Sequence, residues 1–340
     1  MKPLYITVLG VMVCGFAAAQ GQETPQPLKL VQKIARPGVQ GRIDHMSVDL
    51  KGKRLFMAGL GNQTVEVIDL AAGKQLHTIT GLAEPQAVLY VPESNLIFVA
   101  DGEQDSCKIY DGTSYALIHT EPSLNDADNV RYDAASAGTY GYGLVHVGYG
   151  MGNESGLRAL DSRSGKPMFD IPLEGHPESF QFEKSTGRAF VNVPTAGHIA
   201  VLNTGKRRVI DKWPVQGFKP FYPMALDEKN QRLFIGSRNP PALVVFDTKS
   251  GRMVASVEGV DHTDDLFYDA ARKRLYMSGG DGMIGVFEQR DPDHYVLLSK
   301  IPSVPGASTS FFVPEFNRLY VPATPYAGQP AQILVYEAQP

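Results

Sequence analysis

The sequence predicts an all-β fold, a seven-bladed β-propeller whose last blade is closed by the N-terminal strand. One pattern of short strands recurs along the 340 residues at steps of roughly 41 to 50 residues, a repeat length typical of four-stranded blades. Apolar residues within each strand are spaced by two, whereas a helix would space them by about 3.6. The 34 glycines and 24 prolines suit the many tight turns that short strands need.

The N-terminal 19 residues have the features of a secretory signal peptide. Lys2 is followed by an apolar run over residues 4–16 that is too short to span a bilayer, and Ala17-Ala18-Ala19 fits a small-residue cleavage site. A buried N-terminal helix and a lipoprotein anchor through Cys14 are the alternatives. We therefore expect a periplasmic or secreted protein with a polar tether at residues 20–27. One propeller domain at residues 28–340 would follow, with no transmembrane span in the mature form.

Charge and cysteine content narrow the classes of function. The chain has 32 basic and 36 acidic residues, and loss of the signal peptide would remove only Lys2. This balance argues against a dedicated nucleic-acid surface, so no nucleic-acid partner is expected. Cys107 would be the single cysteine of the mature chain, which excludes an internal disulfide and a CxxCH haem attachment.

Each repeat contains two recognisable strands. The second strand of a repeat has an Arg-Leu-Phe-like motif, which begins at residues 54, 96, 188, 232, 274 and 318 and has a degenerate copy at residues 143–147. The third strand ends in an acid or an amide, at Asp69, Asp111, Asp161, Asn203, Asp247, Glu288 and Glu337. A Gly-Lys or Gly-Arg turn often follows. We expect the Asp and Asn side chains among these to cap turns through hydrogen bonds and not to form a functional site.

The two ends of the chain predict how the ring closes. The seventh repeat ends at Glu337 with only three strands. Residues 30–38 resemble residues 297–306, which form the last strand of the sixth repeat. The N-terminal strand is therefore predicted to be the outer strand of the seventh blade, which removes an exposed sheet edge.

The Arg-Leu-Phe strand, the following Val-x-Val-φ-Asp strand (φ being apolar) and the Gly-Lys turn resemble those of YVTN-repeat propellers, and residues 28–337 resemble YncE-like proteins. The resemblance implies a propeller found among surface-layer and periplasmic proteins. Its architecture is similar to that of seven-bladed lactonases and virginiamycin B lyase, but neither catalytic motif can be placed on residues of this sequence. DNA binding, which the resemblance also suggests, finds little support in the net acidity.

Positions just before the innermost strand of each blade are predicted to meet at one mouth of the central channel. Aligning the seven repeats gives a first ring of Asp44, Gln86, Asp128, Glu178, Tyr222, Asp264 and Ser308. The next positions form a second ring of His45, Ala87, Asn129, Ser179, Pro223, Asp265 and Thr309. Two residues before the first ring lies a third ring of Arg42, Glu84, Asp126, His176, Pro220, His262 and Gly306.

Converging carboxylates repel one another unless a cation, a proton or a hydrogen-bond donor lies between them. Asp44, Asp128, Glu178 and Asp264 are candidate ligands for Ca²⁺, and addition of His45, His176 or His262 would favour zinc or another transition metal. The predicted metal ligands are Asp44, Asp128, Glu178, Asp264, His176 and His262. Two alternatives remain open: a general acid and base formed by two carboxylates, and polar side chains that only hold ordered water.

The leading functional hypothesis is an exported propeller that binds a small ligand, a divalent cation or a peptide at this acidic funnel. The predicted ligand-binding residues are Asp44, His45, Gln86, Asp128, Asn129, Glu178, Tyr222, Asp264, Asp265 and Ser308. A second hypothesis is a metal-assisted enzyme, similar to the lactonases or lyases of this architecture, with the same funnel as its centre. A third is an envelope scaffold that binds a protein partner through its outer faces.

Overall fold

The structure, a computed structural model, describes Met1 and residues 26–152 and 154–340. Within these residues, 28 strands form seven antiparallel four-stranded sheets, and these are the blades of a seven-bladed β-propeller. The predicted fold class is thus confirmed. The predicted signal peptide, apart from Met1, and most of the predicted tether lie outside the described residues.

The strands are numbered along the chain, and each blade begins with its innermost strand. The first strand of the chain is β1 (Leu28–Ala35). Blade one has β2 (Met46–Asp49), β3 (Arg54–Gly59), β4 (Thr64–Asp69) and β5 (Lys74–Ile79). Blade two has β6 (Pro85–Val91), β7 (Leu96–Asp101), β8 (Ser106–Asp111) and β9 (Leu117–Glu121). Blade three has β10 (Val130–Asp133), β11 (Leu144–Tyr149), β12 (Ser155–Asp161) and β13 (Pro167–Leu173).

The remaining blades follow in the same order. Blade four has β14 (Phe180–Glu183), β15 (Arg188–Val193), β16 (His198–Asn203) and β17 (Arg208–Pro214). Blade five has β18 (Phe221–Asp227), β19 (Arg232–Arg238), β20 (Pro241–Asp247) and β21 (Met253–Glu258). Blade six has β22 (Thr263–Asp269), β23 (Arg274–Gly279), β24 (Met283–Asp291) and β25 (His294–Pro302). Blade seven has β26 (Phe311–Val313), β27 (Arg318–Ala323) and β28 (Gln332–Ala338), and β1.

Helical structure in the described residues is confined to connections. One four-residue α-helix, α1 (Ala137–Tyr140), follows a 3-10 turn at Ala134–Ser136 between β10 and β11. Two further 3-10 turns lie at Leu60–Asn62 and Pro314–Phe316. No helix in the described part of the chain has the length and apolar character needed to cross a membrane.

Strand β1 completes the seventh blade, as predicted from the chain ends. It pairs antiparallel with β28, with Lys29 opposite Glu337 and Ile34 opposite Ile333. The sheet order is β1-β28-β27-β26, so the first described strand is the outer edge of the last blade. The closing contact therefore joins residues from opposite ends of the sequence.

The core lies between adjacent blades. Middle strands such as β4 are buried on both faces because a neighbouring blade covers each face, whereas outer strands such as β5 are largely exposed. This explains why the middle strands are apolar along nearly their whole length. Between blades one and two, Phe56, Val88 and Val99 are almost fully buried in one such cluster.

The Asp and Asn residues that end the third strands cap turns, as predicted, whereas Glu288 and Glu337 pair with the side chains of Arg290 and Arg318. The Asp69 Oδ1 atom accepts hydrogen bonds from the backbone N–H groups of Ala71 and Ala72, at 2.8 and 2.9 Å. Asp247 accepts equivalent bonds from Lys249 and Ser250. These side chains are therefore occupied by the local backbone, far from the channel mouth.

Candidate functional site

The first ring lies at one mouth of the central channel. The backbone N–H of Asp44 donates to Ala58 O at 2.8 Å, and that of Glu178 donates to Asn192 O at 2.9 Å. Each bond ties a residue before an innermost strand to the second strand of its own blade. The repeated blade thus fixes the backbone of the ring, and the side chain at each position decides its chemistry.

A polar cavity of about 480 Å³ opens at this mouth. It collects residues from the first and third rings of several blades. Its wall is formed by Arg42, Gln86, Asp126, Asp128, His176, Glu178, Tyr222, Arg238, His262, Asp264, Gly280, Gly306 and Ser308. Six predicted ligand-binding residues therefore line one cavity: Gln86, Asp128, Glu178, Tyr222, Asp264 and Ser308.

The other four predicted binding residues lie deeper. Asp44 is buried, with 1% of its surface exposed, below the cavity wall. Asn129 is buried and donates through Nδ2 to Asp128 Oδ1 at 3.3 Å. His45 and Asp265 pair through Nδ1 and Oδ2 at 3.2 Å, and both line a second cavity further along the channel.

Two arginines neutralise one side of the funnel. Arg42 Nη2 lies 3.0 Å from Asp44 Oδ2 and 3.4 Å from Asp264 Oδ2. Arg238 Nη2 lies 2.9 Å from Asp264 Oδ1. Asp44 and Asp264 are thus each paired with a guanidinium group, and neither belongs to the close group of potential metal ligands found among the described residues.

On the other side of the funnel, Asp128, His176 and Glu178 come together. One ligand atom from each lies within 4.8 Å of the other two. His176 Nε2 is 3.5 Å from Asp128 Oδ2, and its Nδ1 is 2.8 Å from Gly150 O. The Nδ1–H group therefore donates to the backbone, which directs Nε2 toward Asp128.

His262, also a predicted metal ligand, is separate from this group. Its side chain is 70% exposed and its Nδ1 lies 3.3 Å from Asp261 Oδ2. It contributes to the rim of the cavity. Tyr222 lines the same cavity, with the Arg238 guanidinium 4.2 Å from its ring centre, an arrangement typical of a cation–π contact.

Burial and neighbouring charges shift the pKa values of the deeper groups. Burial raises the pKa of Asp44, and Asp264 and Asp128 raise it further, against the opposing effect of His45 and Arg42; the resulting pKa is about 7. Burial alone would lower the pKa of His45, but the carboxylates of Asp265 and Asp44 raise it to about 10. At neutral pH, His45 is therefore a cation held between two acids.

The group of Asp128, His176 and Glu178 shows the same competition. Burial raises the pKa of Glu178, and the negative charge of Asp128 raises it further, to about 8. Burial would lower the pKa of His176, but its hydrogen bond to Asp128 and the charge of that carboxylate raise it to about 9. The pKa of Asp128 is lowered in spite of its burial, because His176 and His45 stabilise its charged form. At neutral pH, therefore, His176 and Glu178 hold protons whereas Asp128 is charged.

Three charged residues of the funnel were not among the predicted site residues. Arg42 and Asp126 belong to the third ring, and Asp126 Oδ1 accepts from Gln86 Nε2 at 3.0 Å. Arg238 ends β19, the second strand of its blade, and an alignment of first strands alone does not reach it. A comparison of the positions six residues after the start of each second strand would have identified Arg238, because it is the one charged residue among the seven. These positions are Leu60, Gly102, Gly150, Pro194, Arg238, Gly280 and Thr324.

The funnel therefore has two chemically different halves. The half formed by Arg42, Arg238 and Tyr222 offers guanidinium donors and an aromatic face to a ligand in the cavity. The half formed by Asp128, His176 and Glu178 offers one imidazole and two carboxylates, a donor set that suits zinc or a similar ion better than calcium, which prefers six to eight oxygens.

No protein-family model and no curated protein match this chain. Among solved structures, it is similar to a chain of Kuenenia stuttgartiensis hydrazine synthase, with 14% identity, a TM-score of 0.75, and coverage of 93% of this chain and 97% of that one. It is also similar to a chain in a crystal structure of the mitotic checkpoint complex, with 11% identity, a TM-score of 0.76, and coverage of 99% and 100%. At these identities, the similarity establishes the β-propeller fold alone.

Proposed function

We propose that this protein is an exported, YVTN-type β-propeller that holds a divalent cation with Asp128, His176 and Glu178. The cation would bind a small polar ligand in the funnel. The observation that carries the proposal is the convergence of one imidazole and two carboxylates to within 4.8 Å at the edge of a cavity of about 480 Å³. Three protein ligands leave a coordination position for a molecule in that cavity.

The environment of His176 supports this assignment. Histidines that bind metals generally donate their second N–H to a carbonyl or carboxylate, which fixes the ring and the tautomer. His176 has this arrangement through Gly150 O. The imidazole is thus already oriented with Nε2 toward Asp128, so little side-chain freedom would be lost when a cation binds.

The arginines that line the funnel suggest the chemistry of the ligand. Arg42 retains 54% exposure of its side chain, and both Arg42 and Arg238 line the cavity, so guanidinium groups face it. A carbonyl or carboxylate bound to the cation could accept hydrogen bonds from these arginines. We therefore expect a small molecule, or the end of a peptide, that carries an anionic or strongly polar oxygen.

Calorimetric titration of the full chain with Zn²⁺ and Ca²⁺ tests the site, using the variants His176→Asn and His294→Asn. We expect one zinc site of higher affinity than any calcium site. His176→Asn should weaken zinc at least about 100-fold, since loss of a partner outside the ligand shell already costs roughly 10- to 100-fold.

His294 provides the matched control. Its Nδ1 also pairs with a carboxylate, Asp291 Oδ2, at 2.8 Å, but it lies in the outer strand β25 away from the funnel. His294→Asn should bind zinc like the unmodified chain. Equal zinc affinity in all three proteins, or no zinc binding, would disprove the proposed site.

A metal-assisted hydrolase or lyase is a second candidate, because the open coordination position and Arg238 face the same cavity. A cation there would activate water or polarise a carbonyl. Lactone hydrolysis by the zinc-loaded chain that disappears in His176→Asn would favour this function over binding alone. If neither zinc binding nor ligand binding depended on His176, the results would favour the function of an envelope scaffold.

A further inference from the structure

The channel contains a second cavity, beyond the funnel, that the proposed function does not use. It has a volume of about 350 Å³ and lies among the innermost strands. His45 and Asp265, which pair at 3.2 Å, belong to its wall, whereas the funnel cavity is lined by the first and third rings. We refer to this second cavity as the inner chamber.

Arg131, in β10, is an incompletely satisfied cation in the wall of the inner chamber. Its Nη1 donates to Val130 O at 3.0 Å and its Nη2 donates to Ser179 Oγ at 3.3 Å. A guanidinium has five N–H donors. Among the described residues, no carboxylate lies within 4.0 Å of it, in contrast to Arg42 and Arg238 in the funnel.

The nearby acid does not supply the missing partner. Asp265 Oδ2 lies 3.2 Å from His45 Nδ1 and accepts from the backbone N–H of Ser310 at 2.9 Å. Burial lowers the pKa of Arg131, and the charges of Asp265 and Asp128 oppose this effect without cancelling it. The lowered pKa agrees with a buried cation that lacks a full counter-charge.

A second polar group in the chamber also lacks a partner. The Ser310 hydroxyl is buried, and within the described residues it makes no hydrogen bond. It belongs to the wall of the same chamber as Arg131. Buried polar atoms are nearly always paired, so a hydroxyl and guanidinium donors beside one cavity together indicate an acceptor that the protein itself does not provide.

The remaining wall is largely apolar. Leu89, Met224, Leu266, Phe267 and Phe311 line the chamber. The rings of Phe267 and Phe311 contact edge to face, with centres 5.6 Å apart. A fully hydrated inorganic anion gains little from such a surface, whereas an anion with an apolar body would bury that body against it.

We propose that the inner chamber binds a small organic anion, with its carboxylate on Arg131 and its apolar body against Phe267 and Phe311. This site is independent of the cation site in the funnel. A bidentate pair between guanidinium and carboxylate supplies the orientation, and the aromatic wall supplies most of the contact area.

Thermal unfolding and calorimetry of the full chain with benzoate test this proposal, with benzyl alcohol as the neutral probe of similar shape and inorganic phosphate as the anion without an apolar body. Benzoate at millimolar concentration should raise the melting temperature, because a ligand that binds only the folded state stabilises it. Benzyl alcohol and phosphate should raise it less. The variant Arg131→Met should lose the benzoate effect, and His176→Asn should keep it.

Several outcomes would overturn the proposal: equal stabilisation by benzoate and benzyl alcohol, phosphate binding as strong as benzoate binding, no response to benzoate, or an undiminished response in Arg131→Met. If Arg131→Met does not fold, Arg131→Lys replaces it. That variant retains a cation but not the bidentate geometry, so benzoate should bind it at least about 10-fold more weakly, and unchanged affinity would contradict the proposal. The variant His176→Asn removes the funnel cation site. If this variant lost benzoate binding while the unmodified chain kept it, the two sites would not be independent.

Discussion

At the scale of single residues, His146 in β11 shows how burial sets a pH limit on stability. It is 1% exposed, and neither ring nitrogen has a hydrogen-bond partner among the described residues. Its ring lies 4.9 Å from that of Phe182 and 6.1 Å from that of Phe169. Burial lowers its pKa to about 3, so the folded protein keeps this side chain neutral.

The direction of the pH effect follows from the two pKa values. In the unfolded chain a histidine has a pKa of about 6.5, so between about pH 6.5 and pH 3 the unfolded state binds a proton that the folded state refuses. The contribution of His146 to stability is complete above that window. It is lost as the pH falls, by up to about 1.4 kcal/mol per pH unit.

The variant His146→Phe should remove this component. Chemical denaturation should show that the free energy of unfolding decreases more between pH 7 and pH 4.5 in the unmodified chain than in the variant. The apolar ring suits the neighbouring phenylalanines and cannot be protonated. Parallel losses in the two proteins would show that His146 does not carry this pH dependence.

The funnel residues show what single positions reveal in a sequence and what they do not. The first ring, which contains Asp44, and the second ring, which contains His45, were predictable from the repeat, because equivalent positions of seven blades must meet at the channel. The division of the funnel into two chemically different halves was not predictable from the repeat, because it depends on which side chains reach Arg42 and Arg238. The orientation of His176 depends on the carbonyl of Gly150, and no side-chain pattern marks that group.

At the scale of elements, β1 is the strand on which closure depends. Its Leu28 is 2% exposed and belongs to the core between blades six and seven, whereas Leu30 in the same strand is 41% exposed. The strand was predictable because residues 30–38 resemble an outer strand elsewhere in the chain. The irregular pairing between Leu30 and Gln32 was not, since a bulge depends on the register that the partner strand imposes.

A matched pair of variants tests the role of β1. Leu28→Ala should lower the free energy of unfolding by about 2–5 kcal/mol, the usual cost of removing a buried leucine side chain. Leu30→Ala should change it by no more than about 0.5 kcal/mol, as for most surface substitutions. The two values come from equilibrium denaturation, and equal values would mean that β1 does not contribute to the core as described.

At the scale of the whole molecule, the sevenfold repeat predicts the fold because every blade repeats the same strands and the same turn caps. Site chemistry is less predictable, since it arises where the repeats differ. His176 stands where other blades have Pro220 or Gly306, and Arg238 stands where others have Gly102 or Gly280. Such differences identify candidate positions, and the folded backbone determines which of them meet.

The proposed function depends on the binding of one divalent cation in the funnel by Asp128, His176 and Glu178. Anomalous diffraction at the zinc edge, from crystals of the zinc-treated chain, tests this binding. We expect a single anomalous peak in the funnel, bonded to His176 Nε2 and to an oxygen of each carboxylate at about 2.0–2.2 Å. No peak in the funnel, or a peak bound by Asp44 and Asp264 instead, would contradict it.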